Sequence, residues 1–288
     1  MAGTSPAMTK RWIAVMGRRL MVVATMMGLL ATPAVASDTV LLHAAGSLRG
    51  ALTDIGQAFE TSSQLKVQAK FGASGLLKDE IAAGARAEVF ASANLEHPQA
   101  LATANKSGPV VLFARNKLCA LIRPGLAVTS DTLLDRMLDP QIKLGTSTPK
   151  ADPSGDYAFE VFRKAEAARP GARSALESKA LQLTGGPTSA APPAGRNAYA
   201  WHLTEGRADI FLAYCTAARD AQKENPGLQI IALPDALAVS ADYGLTVIAG
   251  ASPGAYRFAL FILSTEGQRI LASYGFSAPG LTDSSLPQ

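Results

Sequence analysis

The sequence predicts an α/β fold with a largely parallel sheet, and three observations carry that expectation. Short apolar, β-branched segments alternate with segments whose apolar residues recur at helical spacing. Three predicted strand-to-helix junctions carry a serine beside glycine, in Ala44-Ala45-Gly46-Ser47-Leu48, Phe71-Gly72-Ala73-Ser74-Gly75 and Asp152-Pro153-Ser154-Gly155-Asp156. No repeat recurs at a fixed period, so solenoid and propeller architectures are set aside.

The elements follow in order. Val40 to His43 reads as a strand, and Leu48, Ala51, Leu52, Ile55 and Phe59 fall on one helical face. Lys66 to Phe71 is a second strand, followed by a short helix through Leu76, Leu77 and Ile81. Val89 to Ala91 is a third, with a helix from Pro98, where proline suits the first turn. Val110 to Ala114 and Leu118 to Ile122 read as two strands around Arg115-Asn116-Lys117. A second α/β run then follows: a helix from Asp131 to Leu138, a strand near Lys143 to Gly145, and helices over Tyr157 to Ala168 and Ala172 to Gln182. Thr184 to Gly195 is rich in Gly and Pro and reads as a loop, of a length that is more often functional or mobile than idle. Beyond it come a helix around Tyr199 to Leu203 and a strand from Ile210 to Cys215. Leu228 to Leu233 and Tyr243 to Ala249 are again strands. Tyr256, Ala259, Leu260 and Leu263, then Ile270, Leu271 and Tyr274, have helical spacing.

Residues 1–36 combine Lys10, Arg11, Arg18 and Arg19 with an apolar stretch from Leu20 to Leu30 and Ala34-Val35-Ala36, the pattern of a secretory signal peptide cleaved after Ala36. The apolar run is short for a bilayer span, and Arg18-Arg19 alone is weak support for a twin-arginine route. This segment holds four of the 27 Lys and Arg and none of the 23 Asp and Glu. The formal charge of +4 therefore belongs to the targeting segment, and nucleic acid and acidic lipid drop out as partners. Cys119 and Cys215 lie in apolar segments; an even pair in an oxidising compartment suggests one disulfide, and two buried thiols are the alternative.

Catalytic signatures are missing. His43, His97 and His202 are scattered without metal-ligand spacing, and there is no G-x-S-x-G, G-x-G-x-x-G or Walker pattern. Two S-x-x-K matches, Ser63 to Lys66 and Ser147 to Lys150, lack their companion motifs. No enzyme, cofactor or metal is expected. A helix start offers unpaired N–H groups and a partial positive charge, so serines there suit an oxyanion, although serine is also a common N-cap.

Ala44 to Leu48, Phe71 to Gly75 with Ile81-Ala82-Ala83-Gly84-Ala85, Val89-Phe90-Ala91-Ser92-Ala93, Arg115-Asn116-Lys117-Leu118, Ile210 to Tyr214 and Tyr274-Gly275-Phe276 together resemble the periplasmic molybdate-binding proteins. That resemblance implies a two-lobed periplasmic binding protein fold of type II, each lobe a mostly parallel sheet flanked by helices. Lobe 1 would comprise residues 37–115 plus 234–288, and lobe 2 residues 116–233. It implies a monomeric, periplasmic binding protein that hands molybdate, or tungstate, to an ABC permease. It also implies an interlobe site of neutral donors: the hydroxyls of Ser47, Ser74 and Tyr214 and the backbone N–H groups of Ser154 and Arg196. Three departures stand out: Glu88 where the family has Asp, Asp152 and Asp156 beside the expected site, and the Thr184 to Gly195 loop. They keep another small anion or an organic acid open, with a secreted hydrolase or a sensor subunit as the alternatives from other classes.

Overall fold

The structure, a computed structural model, describes residues 39–279; the expected signal peptide lies outside the described residues. Strands β1 (Thr39–Ala45), β2 (Lys66–Gly72) and β3 (Val89–Ser92) alternate with helices α1 (Arg49–Ser63), α2 (Ser74–Ala82) and α3 (Glu96–Thr103). The long β4 (Val111–Ile122) leads to α4 (Leu133–Leu138), β5 (Leu144–Ser147), α5 (Pro153–Ala168), α6 (Ala172–Lys179) and β6 (Leu181–Thr184). Then come α7 (Ala198–Thr204), β7 (Ile210–Tyr214), α8 (Cys215–Glu224), β8 (Gln229–Ala232), β9 (Ser240–Val247), α9 (Pro253–Leu263) and α10 (Thr265–Ser273).

Among the described residues the strands form one nine-stranded mixed sheet in the order β2-β1-β3-β9-β4-β7-β5-β6, with β8 also paired to β4. β2-β1-β3 and β7-β5-β6 are parallel sets; β9 and β4, between them, run antiparallel to their neighbours. Antiparallel strands at the centre make the sheet mixed, where the alternation of the first half alone suggested a largely parallel one. The strand sequences fit their places. β1, paired on both sides, is apolar and mostly buried, whereas edge strand β2 exposes Lys66, Gln68 and Lys70, charged and polar groups that discourage further edge pairing. Helix α1 buries Ala51, Leu52, Ile55 and Phe59, as the spacing predicts, and ends where Gln64 turns left-handed, its N–H reaching the Glu60 carbonyl.

Four sequence expectations change. The two strands around Arg115-Asn116-Lys117 are one: Val111 to Lys117 pairs β9 and Leu118 to Ile122 pairs β7, so polar residues continue the strand while its partner changes. The helix expected over Ala172 to Gln182 stops at Lys179 and the chain extends into β6, because Leu181 to Thr184 completes the sheet beside β5. Cys215 does not end a strand but opens α8. Helix α3 starts at Glu96, with Pro98 inside its first turn, where a missing N–H costs no helical bond.

Glu88 joins β1 to the start of α9: Oε2 accepts from the Leu41 N–H at 2.9 Å and Oε1 from the Ser252 N–H at 3.0 Å. Burial pushes this carboxyl up, and the two N–H bonds outweigh it, leaving it below the usual carboxylate range. Cys119 and Cys215 are disulfide-bonded, with Cα atoms 4.9 Å apart. No described helix is long and apolar enough to cross a membrane.

Candidate ligand-binding cleft

A cavity of about 990 Å³ opens where the carboxyl ends of the parallel strands converge. Ala45, Gly46 and Ser47 line it from the end of β1, Gly72 and Ala73 from β2, Ala93 from β3, Thr184 and Gly185 from β6, and Tyr214 from β7. This is the edge at which open α/β sheets present binding groups, because side chains and helix N-termini face the same crevice there.

Ser47 sits in a 3-10 turn, Gly46–Leu48, and its Oγ lies 2.9 Å from the phenol oxygen of Tyr243 on β9. Asn116 Nδ2 donates to that phenol oxygen at 3.2 Å and to Thr216 Oγ1 at 2.8 Å. Either hydroxyl can donate in the Ser47–Tyr243 bond; Asn116 already donates to the phenol oxygen, and when the phenol proton goes to Ser47 Oγ the serine proton can be offered to the cavity. Ser74, at the first position of α2, is buried behind the lining; its Oγ accepts from the Ala93 N–H at 3.1 Å, so its proton is also available for donation. Tyr214 is buried and lines the cavity; its hydroxyl donates a long bond, 3.4 Å, to the Ala93 carbonyl, which an incoming anion would have to replace, and Tyr157 and Tyr243 pack around its ring. Burial pushes the phenols of Tyr214, Tyr199 and Tyr243 above the usual tyrosine value, which keeps them neutral donors at any physiological pH.

The second set of expected groups lies differently. The Ser154 N–H donates to Asp152 Oδ1 at 3.1 Å: Asp152 is the N-cap of α5, with Pro153 beside it, and its carboxylate takes the place at this helix start that a bound anion was expected to take. Ser154 Oγ is buried without a hydrogen bond of its own, next to the Tyr199 phenol. Arg196 lines the cavity, but its N–H donates to the Pro193 carbonyl at 3.0 Å and its guanidinium pairs with Glu224 at 2.6 Å. Glu224 also accepts from the Asn197 N–H, and these bonds, the backbone one foremost, hold its carboxyl below the usual range. Asp156 turns away, accepting from the Lys150 N–H at 2.9 Å. Asp152 faces the cavity.

Next to the lining residues Ala73 and Asp152, the start of α2 meets the segment that leads into α5. The Gly75 N–H, near the start of α2, donates to the Ala151 carbonyl at 2.8 Å, and a Cβ at Gly75 would lie 2.2 Å from the Lys150 carbonyl oxygen. Gly185, at φ 75°, leaves room for Asp152: a Cβ there would fall 2.4 Å from Asp152 Oδ2. Sequence reasoning did not find Tyr243, Asn116, Thr216 or Glu224, which support the lining groups from elements far away in the chain.

The chain belongs to the bacterial extracellular solute-binding protein family, whose model matches residues 40–277. An uncharacterized protein of Pasteurella multocida (strain Pm70) is 36% identical over 235 residues, covering 81% of this chain and 96% of the relative. Among solved structures, the periplasmic molybdate-binding protein of Azotobacter vinelandii is similar at a TM-score of 0.66 and 18% identity, over 86% of this chain and 100% of that one. The sulfate-binding protein SubI of Mycobacterium tuberculosis is similar at 0.68 and 18%, over 84% and 87%. At these identities the structures establish a shared fold.

Proposed function

We propose that this chain captures a small tetrahedral oxyanion, molybdate foremost and tungstate with it, in the cleft at the strand ends and delivers it to an ABC permease. The observation that carries the proposal is a set of neutral hydroxyls at the strand ends: Ser47 and Tyr214 on the cavity wall, and Ser74 buried just behind it, where its Oγ accepts from the Ala93 N–H and its proton can be donated. A molybdate-binding protein and a sulfate-binding protein share the fold. The work is binding rather than catalysis. Residues 1–36 act as a signal peptide that places the chain in the periplasm, where it functions as a monomer. Residues 37–115 with 234–288 form one lobe and 116–233 the other, hinged where β4 changes partner after Lys117 and where the chain returns into β9. Closure brings Gly75 against Ala151 and excludes water, so that fixed dipoles act on the anion in a medium of lower dielectric.

Calorimetry of the mature protein with molybdate, tungstate, sulfate and phosphate tests this. Molybdate and tungstate are expected to bind most tightly; no heat from any of the four anions overturns the proposal. A second reading has its own observation. A bare tetrahedral oxyanion needs the room of a few waters, at ~30 Å³ each, and the cavity of about 990 Å³ is far larger, with Arg49, Asp220 and Lys223 in its wall. An oxyanion with an organic group attached would use that space, and a phosphorylated organic acid added to the calorimetry panel distinguishes the two.

A further inference from the structure

We propose that Asp152 makes anion capture proton-linked: a fully deprotonated oxyanion enters this cleft together with one proton, which settles on the Asp152 carboxylate. This rests on the oxyanion reading above and deepens it. The neutral donors Ser47 and Tyr214 share the cavity wall with Asp152, a carboxylate held in place from two sides. The Ser154 N–H fixes Oδ1, and Gly185 leaves space only for the rest of the group, so Asp152 has little freedom to swing away when an anion arrives. A dianion against a fixed carboxylate is repulsive unless a cation or a proton intervenes.

The neighbours that face Asp152 supply no cation. They are Ser154 and Asp156 from α5, Ser147 from β5, Tyr199 from α7, Tyr214 from β7 and Tyr243 from β9, and the charged one among them is another carboxylate. Lys150 acts on Asp156. Arg196 is paired with Glu224 and Lys223 with Asp220 at 2.8 Å, and the guanidinium of Arg49, the remaining cation of the wall, lies over the Phe71 ring at 4.8 Å from its centroid. Burial, ahead of any other influence, already pushes the Asp152 carboxyl above the usual range. The remaining balance is simple: anion, carboxylate and one solvent proton give a carboxylic acid whose O–H donates to an anion oxygen. No bond to the anion is made or broken. An oxyanion that carries its own hydrogen, such as hydrogen phosphate, would instead donate to the carboxylate and need no added proton.

The test is calorimetry with micromolar molybdate and with sulfate from pH 6 to pH 9, in buffers of different ionisation enthalpy, on the wild type and on Asp152→Asn. Asparagine keeps an oxygen for the Ser154 N–H and places a permanent donor toward the anion. The wild type is expected to take up one proton per anion at the alkaline end, its affinity falling about tenfold per pH unit there. Asp152→Asn is expected to take up none, to show a flat profile, and to bind molybdate more tightly than the wild type at pH 9. Asp156→Asn, which alters a carboxylate bonded to the Lys150 N–H, is expected to keep the wild-type proton count. Anion binding by the wild type without proton uptake and with a flat profile overturns the proposal and leaves the oxyanion reading intact. No binding of either anion at any pH overturns both. The wild-type proton count decides even if Asp152→Asn does not fold.

Discussion

Ser47 can act as a donor toward the cavity because residues almost 70 and almost 200 positions away can fill its acceptor side, Asn116 through Tyr243. Arg196, which also lines the cavity, is the opposite case: both its N–H and its guanidinium are already committed, to Pro193 and Glu224. The two residues therefore separate what lines a cleft from what binds in it. Ser47→Ala removes a hydroxyl bond to a charged ligand and should weaken molybdate binding by about 1.5–3 kcal/mol. Arg196→Ala removes an ion pair exposed to solvent and should change binding by less than about 1 kcal/mol. Calorimetry on the two variants side by side checks both; a large loss in Arg196→Ala with Ser47→Ala unaffected would place the anion among the charges at the cavity mouth. At this scale the sequence was legible where chemistry is local. A serine between glycine and the start of a helix shows itself in five residues, as does Asp152 ahead of Pro153. Tyr243, Asn116 and Thr216 gave no such signal, since their roles depend on the register that pairs β4 with β9 and on where α8 begins.

Elements with a clean apolar period were legible, and those defined by partners were not. Helix α1 and strands β1 and β3 bury the residues that their spacing selects, whereas α9 forms where expected but buries Ala255, Phe258, Ala259 and Ile262 and leaves the selected Tyr256 and Leu260 exposed. Strand β4 could not be read as one piece, because Arg115 and Lys117 interrupt its apolar pattern and only pairing with β9 carries the chain through. Strand β6 was hidden in a helical pattern for the same reason, its exposure along one edge of the sheet leaving little apolar alternation. Helix α2 illustrates how an element start can serve closure. Its Gly75 is buried against the Lys150 and Ala151 carbonyls, where a methyl group would need backbone atoms to move. Gly75→Ala should favour helix formation locally and yet hold the two walls apart, so that anion affinity falls at least tenfold while thermal stability without ligand changes little. Small-angle scattering with saturating molybdate checks the cause: the variant should stay more open than the wild type. Equal affinity and equal compaction would show that the Gly75 contact does not take part in closure.

Across the whole molecule, β4 and β9 join the two parallel sets of strands, and the disulfide sits beside that junction. Cys119 lies on β4 one residue after Leu118, which pairs with Tyr214, and Cys215 starts α8 between the cleft residue Tyr214 and Thr216, the partner of Asn116. A bond between residues 96 apart in sequence removes much freedom from the unfolded chain, and loops of this size correspond to about 4–5 kcal/mol in the chain-entropy description. The ladder from Leu118 to Ile122 already ties β4 to β7 by backbone pairing, so stability and affinity should respond unequally to loss of the bond. Replacing both cysteines by alanine is expected to lower unfolding free energy by about 2–5 kcal/mol, while molybdate affinity changes by less than about tenfold, or 1.4 kcal/mol. Denaturant unfolding with and without reductant measures the first quantity and calorimetry the second, with alkylation and mass spectrometry confirming the thiol state. Coincident unfolding curves for oxidised and reduced protein would mean that the bond constrains nothing the strands do not already hold. A collapse of affinity at unchanged stability would make it part of the cleft rather than of the frame.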